Sequence, residues 1–362
     1  MLINCGGSPI SDKLGYTEEN MAEFVIPVLA PKMPKPERDY PISERENLMR
    51  AFRHEKPMYM PFLYQATQWY MPKAYGDFNR MRVKDGVDWF GTHYQYEETQ
   101  EGMTPVPPYV MEEILDWRDV LHFPDLKSMD WGPDNKEFVR DENLALACRC
   151  LWHGTFESLH FFEGFQQALV DLVSEPEECH EFFERMTDFK IDMLNLQAAH
   201  YDFDYVCHND DWSTAKSQMF SCPLFEETLL EPHIRLAEAA RATGAQYMVH
   251  TCGKMEVWLP YLVNDIKADV VEIQNINDTD YILETYGDKL TVEYTPDFNI
   301  MYNPETTAEQ AREYARSIVD RFGAHKHKGS GVVMHMHGNI PESYYAFEDE
   351  LYNYSLEMYK DL

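Results

Sequence analysis

The chain has 362 residues, 44% of them hydrophobic and 26% charged, enough for a large core in either one α/β barrel or two smaller domains. Its 63 acidic against 31 basic residues leave a formal net charge of −32, which argues against binding nucleic acid or an anionic membrane surface. There is no apolar run of about 18 residues, and the start MLINCGGSPISDKLGY lacks the basic-then-apolar layout of a secretory signal. The expectation is therefore a cytoplasmic protein, whose seven scattered cysteines serve as thiols or ligands rather than as a disulfide framework.

The first 42 residues, with prolines at 27, 31, 34 and 36, read as an extended arm over the remainder of the chain or as a subunit contact. Ser43 followed three residues later by Glu46 has the capping-box pattern, and Leu48, Met49 and Phe52 supply a helical apolar face. Beyond Pro57, short apolar runs bounded by turn residues alternate with helical stretches, the pattern of repeated βα units. The expected strands are Met58 to Leu63, Val87 to Thr92, Leu146 to His153, Tyr205 to His208, Tyr247 to Cys252, Val270 to Ile273, Leu290 to Tyr294 and Val332 to His337. Helices are expected over Pro176 to His200 and Pro223 to Thr243. Residues 97–145, with several prolines, read as an irregular insertion between the second and third strands. Eight such units make a TIM (β/α)8 barrel spanning residues 43–362, with its site at the carboxyl ends of the strands.

Those ends carry ligand-type residues. The fourth strand ends in His208, Asn209, Asp210, Asp211 and Trp212, the fifth in His250, Thr251 and Cys252, and the sixth carries Glu272 and Gln274. Glu293 lies on the seventh, and His335 and His337 on the eighth. Residues two apart on a strand share a face, so His250 and Cys252 can present an imidazole and a thiolate side by side. That is a partial site for a borderline-soft ion such as zinc, although a buried thiol beside a hydrogen-bonded histidine would look the same. Asp210 and Asp211 suit either helix capping or acid/base chemistry beside a metal. Glu293 suits a ligand, a general acid or a structural ion pair. His325 and His327 fall before the eighth strand, at the opposite barrel face, and Cys148 and Cys150 read as buried thiols.

In order along the chain, several stretches resemble the uroporphyrinogen decarboxylase superfamily, and within it the zinc-dependent corrinoid methyltransferases. They are SERENLMRAF at 43–52 before Lys56 and Pro57, GVDWFG at 86–91, NDDW at 209–212, LEPH at 230–233, HTCG at 250–253 and GNIP at 338–341. The resemblance covers most of residues 43–360 and implies a TIM barrel. True uroporphyrinogen decarboxylases carry an arginine-rich segment after the first strand to hold a polyanionic substrate. Here that stretch reads FLYQATQWY at 62–70, with no arginine, so porphyrinogen decarboxylation is the least favoured activity.

In the methyltransferase branch, zinc is held by the His and Cys of the H-x-C-G motif and by a later cysteine. His250 and Cys252 match the first two. No cysteine follows Cys252, and His337 stands where the family has the third ligand, giving a His, Cys, His set that is chemically acceptable for zinc. His335, on the same strand face, is its rival. One thiolate fewer makes the metal a stronger Lewis acid, better suited to polarising oxygen than to keeping a thiolate nucleophilic. The resemblance thus implies an O-demethylase component, passing a methyl group from a methoxylated aromatic compound to the Co(I) of a separate corrinoid protein. Zinc would sit on His250, Cys252 and His337; Asp210, Asp211 and Glu293 would be catalytic; and Tyr64, Trp69, Phe90, His208, Trp212 and His335 would bind substrate. Phe62 and Trp89 add to an aromatic pocket suited to a flat ring. The corrinoid would arrive on a partner, because the chain has no cobalamin-binding signature, and a homodimer is compatible with this reading. A methylcorrinoid:thiol or folate methyltransferase and a non-catalytic ligand-binding barrel are the alternatives.

Overall fold

The computed structural model describes residues 21–26, 30–36, 38–69, 72–75, 85–97, 102–133, 138–149, 151, 153–297, 300, 303, 305–327, 331–333 and 342–362. Of residues 21–26, 30–36, 69, 85, 96–97, 102–103, 332–333 and 342, only the backbone is described. The strands are β1 (Met21–Ile26), β2 (Ala30–Pro36), β3 (Thr67–Trp69), β4 (Asp85–Val87), β5 (His93–Glu97), β6 (Gly102–Pro105), β7 (Ala145–Cys148), β8 (Tyr205–Asn209), β9 (Gln246–His250), β10 (Val270–Ile273), β11 (Thr291–Tyr294) and β12 (Val332–Val333). From β7 onward parallel strands alternate with helices, the architecture of a TIM-type α/β barrel. No helix among the described residues is long and apolar enough to cross a membrane.

The chain divides into two compact units. The first comprises Met1–Trp69, Val139–Leu146 and Asp269–Leu362 and contains the parallel neighbours β10, β11 and β12. The expected N-terminal arm contains regular structure: β1 and β2 pair antiparallel, Met21 opposite Pro36. The helix Glu44–Phe52 starts where Ser43 Oγ accepts the Glu46 N–H at 3.1 Å. The run Met58 to Leu63 is not a strand, because side chains take its backbone groups. Asn47 accepts from Met58 N at 2.7 Å and donates to Tyr59 O at 3.0 Å, and Ser355 Oγ accepts from Met60 N at 2.9 Å. The strand follows at Thr67–Trp69. The buried Arg38 guanidinium pairs with buried Glu348 at 2.9 Å.

The second unit comprises Tyr70–Phe138 and Ala147–Ala268. Here Ala147 and Cys148 at the end of β7 run parallel to β8, and β8 to β9, with Asn209 of β8 level with His250 of β9. The expected strand Val87 to Thr92 is a hairpin turn instead. Asp88 Oδ1 accepts from Phe90 N and Thr92 N, both at 2.9 Å, and Gly91 takes φ +93°, so β4 folds back on β5 in a three-stranded antiparallel sheet. The long helix is observed as Pro176–Ala198. The second expected helix is broken into Cys222–Thr228 and Leu230–Ala242, since Pro232 has no N–H to bond the carbonyl four residues earlier. Phe90, Phe123, Phe162 and Phe189 pack edge to face or tilted at centroid distances of 5.1–5.6 Å.

Candidate metal centre

The parallel register of β8 and β9 sets the site. Paired positions on adjacent strands project to the same side of a sheet, so Asn209 and His250 share a face. Beyond the last rung the chains stay tied: Asp210 N donates to His250 O at 3.0 Å and Trp212 N to Thr251 Oγ1 at 3.2 Å. Asp211 Oδ1 then accepts the Cys252 N–H at 2.7 Å, while the Cys252 sulfur lies 3.5 Å from His250 Nε2. One ligand atom from each of Asp211, His250 and Cys252 falls within 4.8 Å of the others. An oxygen, a nitrogen and a sulfur donor at that spacing are a chemically sound set for zinc.

Gly253 makes the turn possible. Its φ is +84°, and a Cβ there would come within 2.5 Å of Thr214 O and 2.6 Å of Ser213 O. Glycine alone lets the chain leave Cys252 so close to the 213–214 backbone.

Asp210, next in sequence to Asp211, points to the opposite side and is fully buried. Its Oδ2 accepts from Phe156 N (3.1 Å), Trp212 Nε1 (2.9 Å) and His233 Nε2 (3.0 Å), and its Oδ1 from Glu157 N (3.1 Å). It therefore caps the helix Thr155–Glu163, which precedes it in the chain. Burial would raise its pKa, but the hydrogen bond and charge of His233, aided by Trp212, hold it down to about 2. Gly154 is needed for this approach, since a Cβ would lie 2.1 Å from Asp210 Oδ1. Lys190, also fully buried, donates to Leu151 O at 3.1 Å and to His153 O, bracing the segment that enters the same helix. Burial lowers its pKa to about 8, against the pull of Asp210 and Glu157.

The remaining expected site residues are dispersed. His208 is buried with its ring 5.2 Å from that of His233, and no hydrogen-bond partner reaches either of its nitrogens among the described residues. Burial first, then His233, keeps it neutral by driving its pKa well below the usual value. Trp212 is fully buried against Phe225 and His233 at 4.9 and 4.8 Å, and Phe90 belongs to the phenylalanine cluster. In the first unit Tyr64 is buried, and Glu293 is buried at a register position paired with Glu272. The side chain of Trp69, and His335 and His337 altogether, lie outside the described residues.

Sequence reasoning counts Asp211 among the acid/base groups and gives no site role to Asn209, His233, Lys190 or Gly154. Period-two alternation from His208 would have separated Asn209 and Asp211 from His208 and Asp210.

Parallel strands with a nitrogen, sulfur and oxygen set at their carboxyl ends define an α/β-barrel protein with a candidate metal centre. Residues 162–343, half of the chain, match the model of the family Uroporphyrinogen decarboxylase (URO-D), and the chain belongs to that family. Its fold is shared with a solved structure, a methyltransferase from Methanosarcina mazei. The TM-score is 0.59 at 11% identity, covering 86% of this chain and 98% of that one. None of the curated proteins matches the sequence.

Proposed function

We propose that this chain is a methyltransferase that moves a methyl group from a methoxylated aromatic small molecule to the Co(I) of a separate corrinoid protein, using a zinc ion held by Asp211, His250 and Cys252. The observation that carries the reading is the convergence of those three donors at the ends of β8 and β9. The likeness in fold to a protein named as a methyltransferase supports it, and so does the absence of arginine from residues 62–70, where a polyanionic porphyrinogen would be held. In this reading residues 43–362 form the barrel and residues 1–42 an arm.

Bound zinc would supply Lewis acidity toward the ether oxygen. With Asp211 as the third donor, the set does not depend on His337. It contains one thiolate and one hard carboxylate, a combination that favours oxygen polarisation over activation of a substrate thiol. Asp211 also fixes the Cys252 backbone through the 2.7 Å hydrogen bond, so the same carboxyl group orients the turn that carries the thiolate. Asp210 caps the helix Thr155–Glu163 and gives its own N–H to His250 O, so it would act as a positioning residue between that helix and the end of β9. The partner's reduced corrinoid would supply the nucleophilic electron pair that takes the methyl carbon, the carbon–oxygen pair would stay on oxygen, and a proton from solvent would convert the phenolate to the phenol.

The test is metal analysis together with methyl transfer. Asp211→Ala, His250→Ala and Cys252→Ala are each expected to lose zinc, with affinity falling at least about tenfold, whereas His337→Ala retains it. Wild-type chain mixed with reduced corrinoid protein and a methoxyarene panel is expected to give methylcobalamin. Full zinc retention by Asp211→Ala, or no methylcobalamin with any donor, would overturn the assignment.

A further inference from the structure

Asn209 stands one residue beyond His208 and two before Asp211, at the last position of β8. It is level with His250 in the parallel register, so its side chain leaves the sheet on the same face as the imidazole. The first four residues of β8 are buried and Asn209 alone is exposed. The Cys207 thiol donates to Asn209 Oδ1 at 3.3 Å and orients the carboxamide. With the oxygen engaged by Cys207, the NH2 group is the part of this exposed side chain left to bind a ligand. Among the described residues no acceptor takes either of its two protons.

The surroundings make these donors unusual. Asp211 and a metal-binding Cys252 thiolate would bring negative charge to this face in a chain whose net charge is −32. An anion developing here would be repelled unless neutral donors or a cation met it, and an amide NH2 adds donors without competing with a metal for its ligands.

We infer that Asn209 is the oxyanion-binding residue of the site, donating through Nδ2 to the aryl oxygen as the methyl group departs. This rests on the methyl-transfer reading above and deepens it. When the carbon–oxygen bond breaks, its electron pair stays on oxygen and the methyl carbon takes the electron pair of the acceptor. The charge on oxygen therefore grows from the neutral ether to the phenolate. A donor aimed at that atom binds the transition state and the phenolate product more tightly than the ether, which is what accelerates a step with a poor leaving group. The Cys207 contact keeps the amide from flipping its acceptor oxygen toward the same place.

The experiment uses two readouts on wild type, Asn209→Ala, Asn209→Asp and Cys207→Ala. The first is methylcobalamin formation from a methoxyarene panel. Asn209→Ala is expected to lower kcat roughly 100- to 1000-fold with zinc content unchanged. The second is spectroscopic titration of bound 4-nitrophenol on chain freed of metal by chelation. The quantity compared is the pKa of the bound phenol in each variant against wild type, with the same acidic face present in all of them. Asn209→Ala should raise that pKa by about one unit, a tenfold loss of preference for the anion, Asn209→Asp by more, and Cys207→Ala by less. A structural role for Asn209 would leave the bound-phenol pKa unmoved. If Asn209→Ala matches wild type in both readouts, the inference is wrong while methyl transfer stands. If wild type makes no methylcobalamin and Asn209→Ala leaves the bound-phenol pKa unmoved, both fall.

Discussion

Asp210 and Asp211 are neighbours in sequence with opposite tasks, and the difference should be measurable. Asp210 is buried under four donors. Asp210→Ala would leave those groups facing an empty space and should cost about 3–5 kcal/mol in denaturant unfolding. Asp211 has a side chain 32% exposed and one backbone donor, so Asp211→Ala in metal-free chain should cost about 1 kcal/mol, its larger effect appearing only in zinc binding. Comparable losses for the two variants would show that the cap is not what Asp210 supplies. A second buried carboxyl makes a pH prediction. Burial, then the neighbouring Asp171, pushes the Glu163 pKa up to about 9. The folded chain thus keeps a proton that the unfolded chain gives up above its ordinary pKa of 4.5. Its contribution is fully present below 4.5 and is lost as pH rises toward 9. Glu163→Gln should flatten that decline and stabilise the chain at pH 7 by on the order of 2 kcal/mol. Urea titrations of both proteins across this range check it, and parallel profiles would refute it.

At the scale of elements, the turn after β9 is the vulnerable part of the centre. Gly253→Ala forces a Cβ toward two backbone carbonyls at φ +84°, so the 252–254 turn must move. Zinc affinity should fall at least about tenfold, with a loss of roughly 1–2 kcal/mol in stability. Unaltered zinc binding would mean that the turn is not what holds Cys252 in place. The strands β8 to β11 were visible as apolar runs because a parallel strand buried on both faces is apolar throughout, and the H-x-C spacing of His250 and Cys252 marked two members of the centre. The misplaced strands failed for a common reason: apolar composition does not reveal which groups satisfy the backbone. Asn47 and Ser355 satisfy residues 58–60, and Asp88 satisfies the turn to Thr92. Neither Asn47 nor Ser355 is close in sequence to the segment it holds. That Asp211 lies beside Cys252, 41 residues away, is not legible without the β8–β9 register.

Charge acts at the scale of the whole molecule. Even if every lysine and arginine were matched by a carboxylate, the net charge of −32 would leave that many acidic groups unmatched. Self-repulsion of this kind destabilises a compact chain and is screened by salt, with a Debye length near 10 Å at about 0.1 M. Raising NaCl from about 10 to about 200 mM should therefore raise the melting temperature. The same field acts on the corrinoid protein in the proposed reaction. A partner with a like-charged docking face would be repelled, so productive encounter calls for a basic face, and screening then weakens the attraction. The two effects have opposite signs over one salt range. Calorimetry should show a more stable chain as salt rises, while methylcobalamin formation at limiting partner concentration should slow. A rate that rises along with the melting temperature would place the contact on a surface where this charge plays no part.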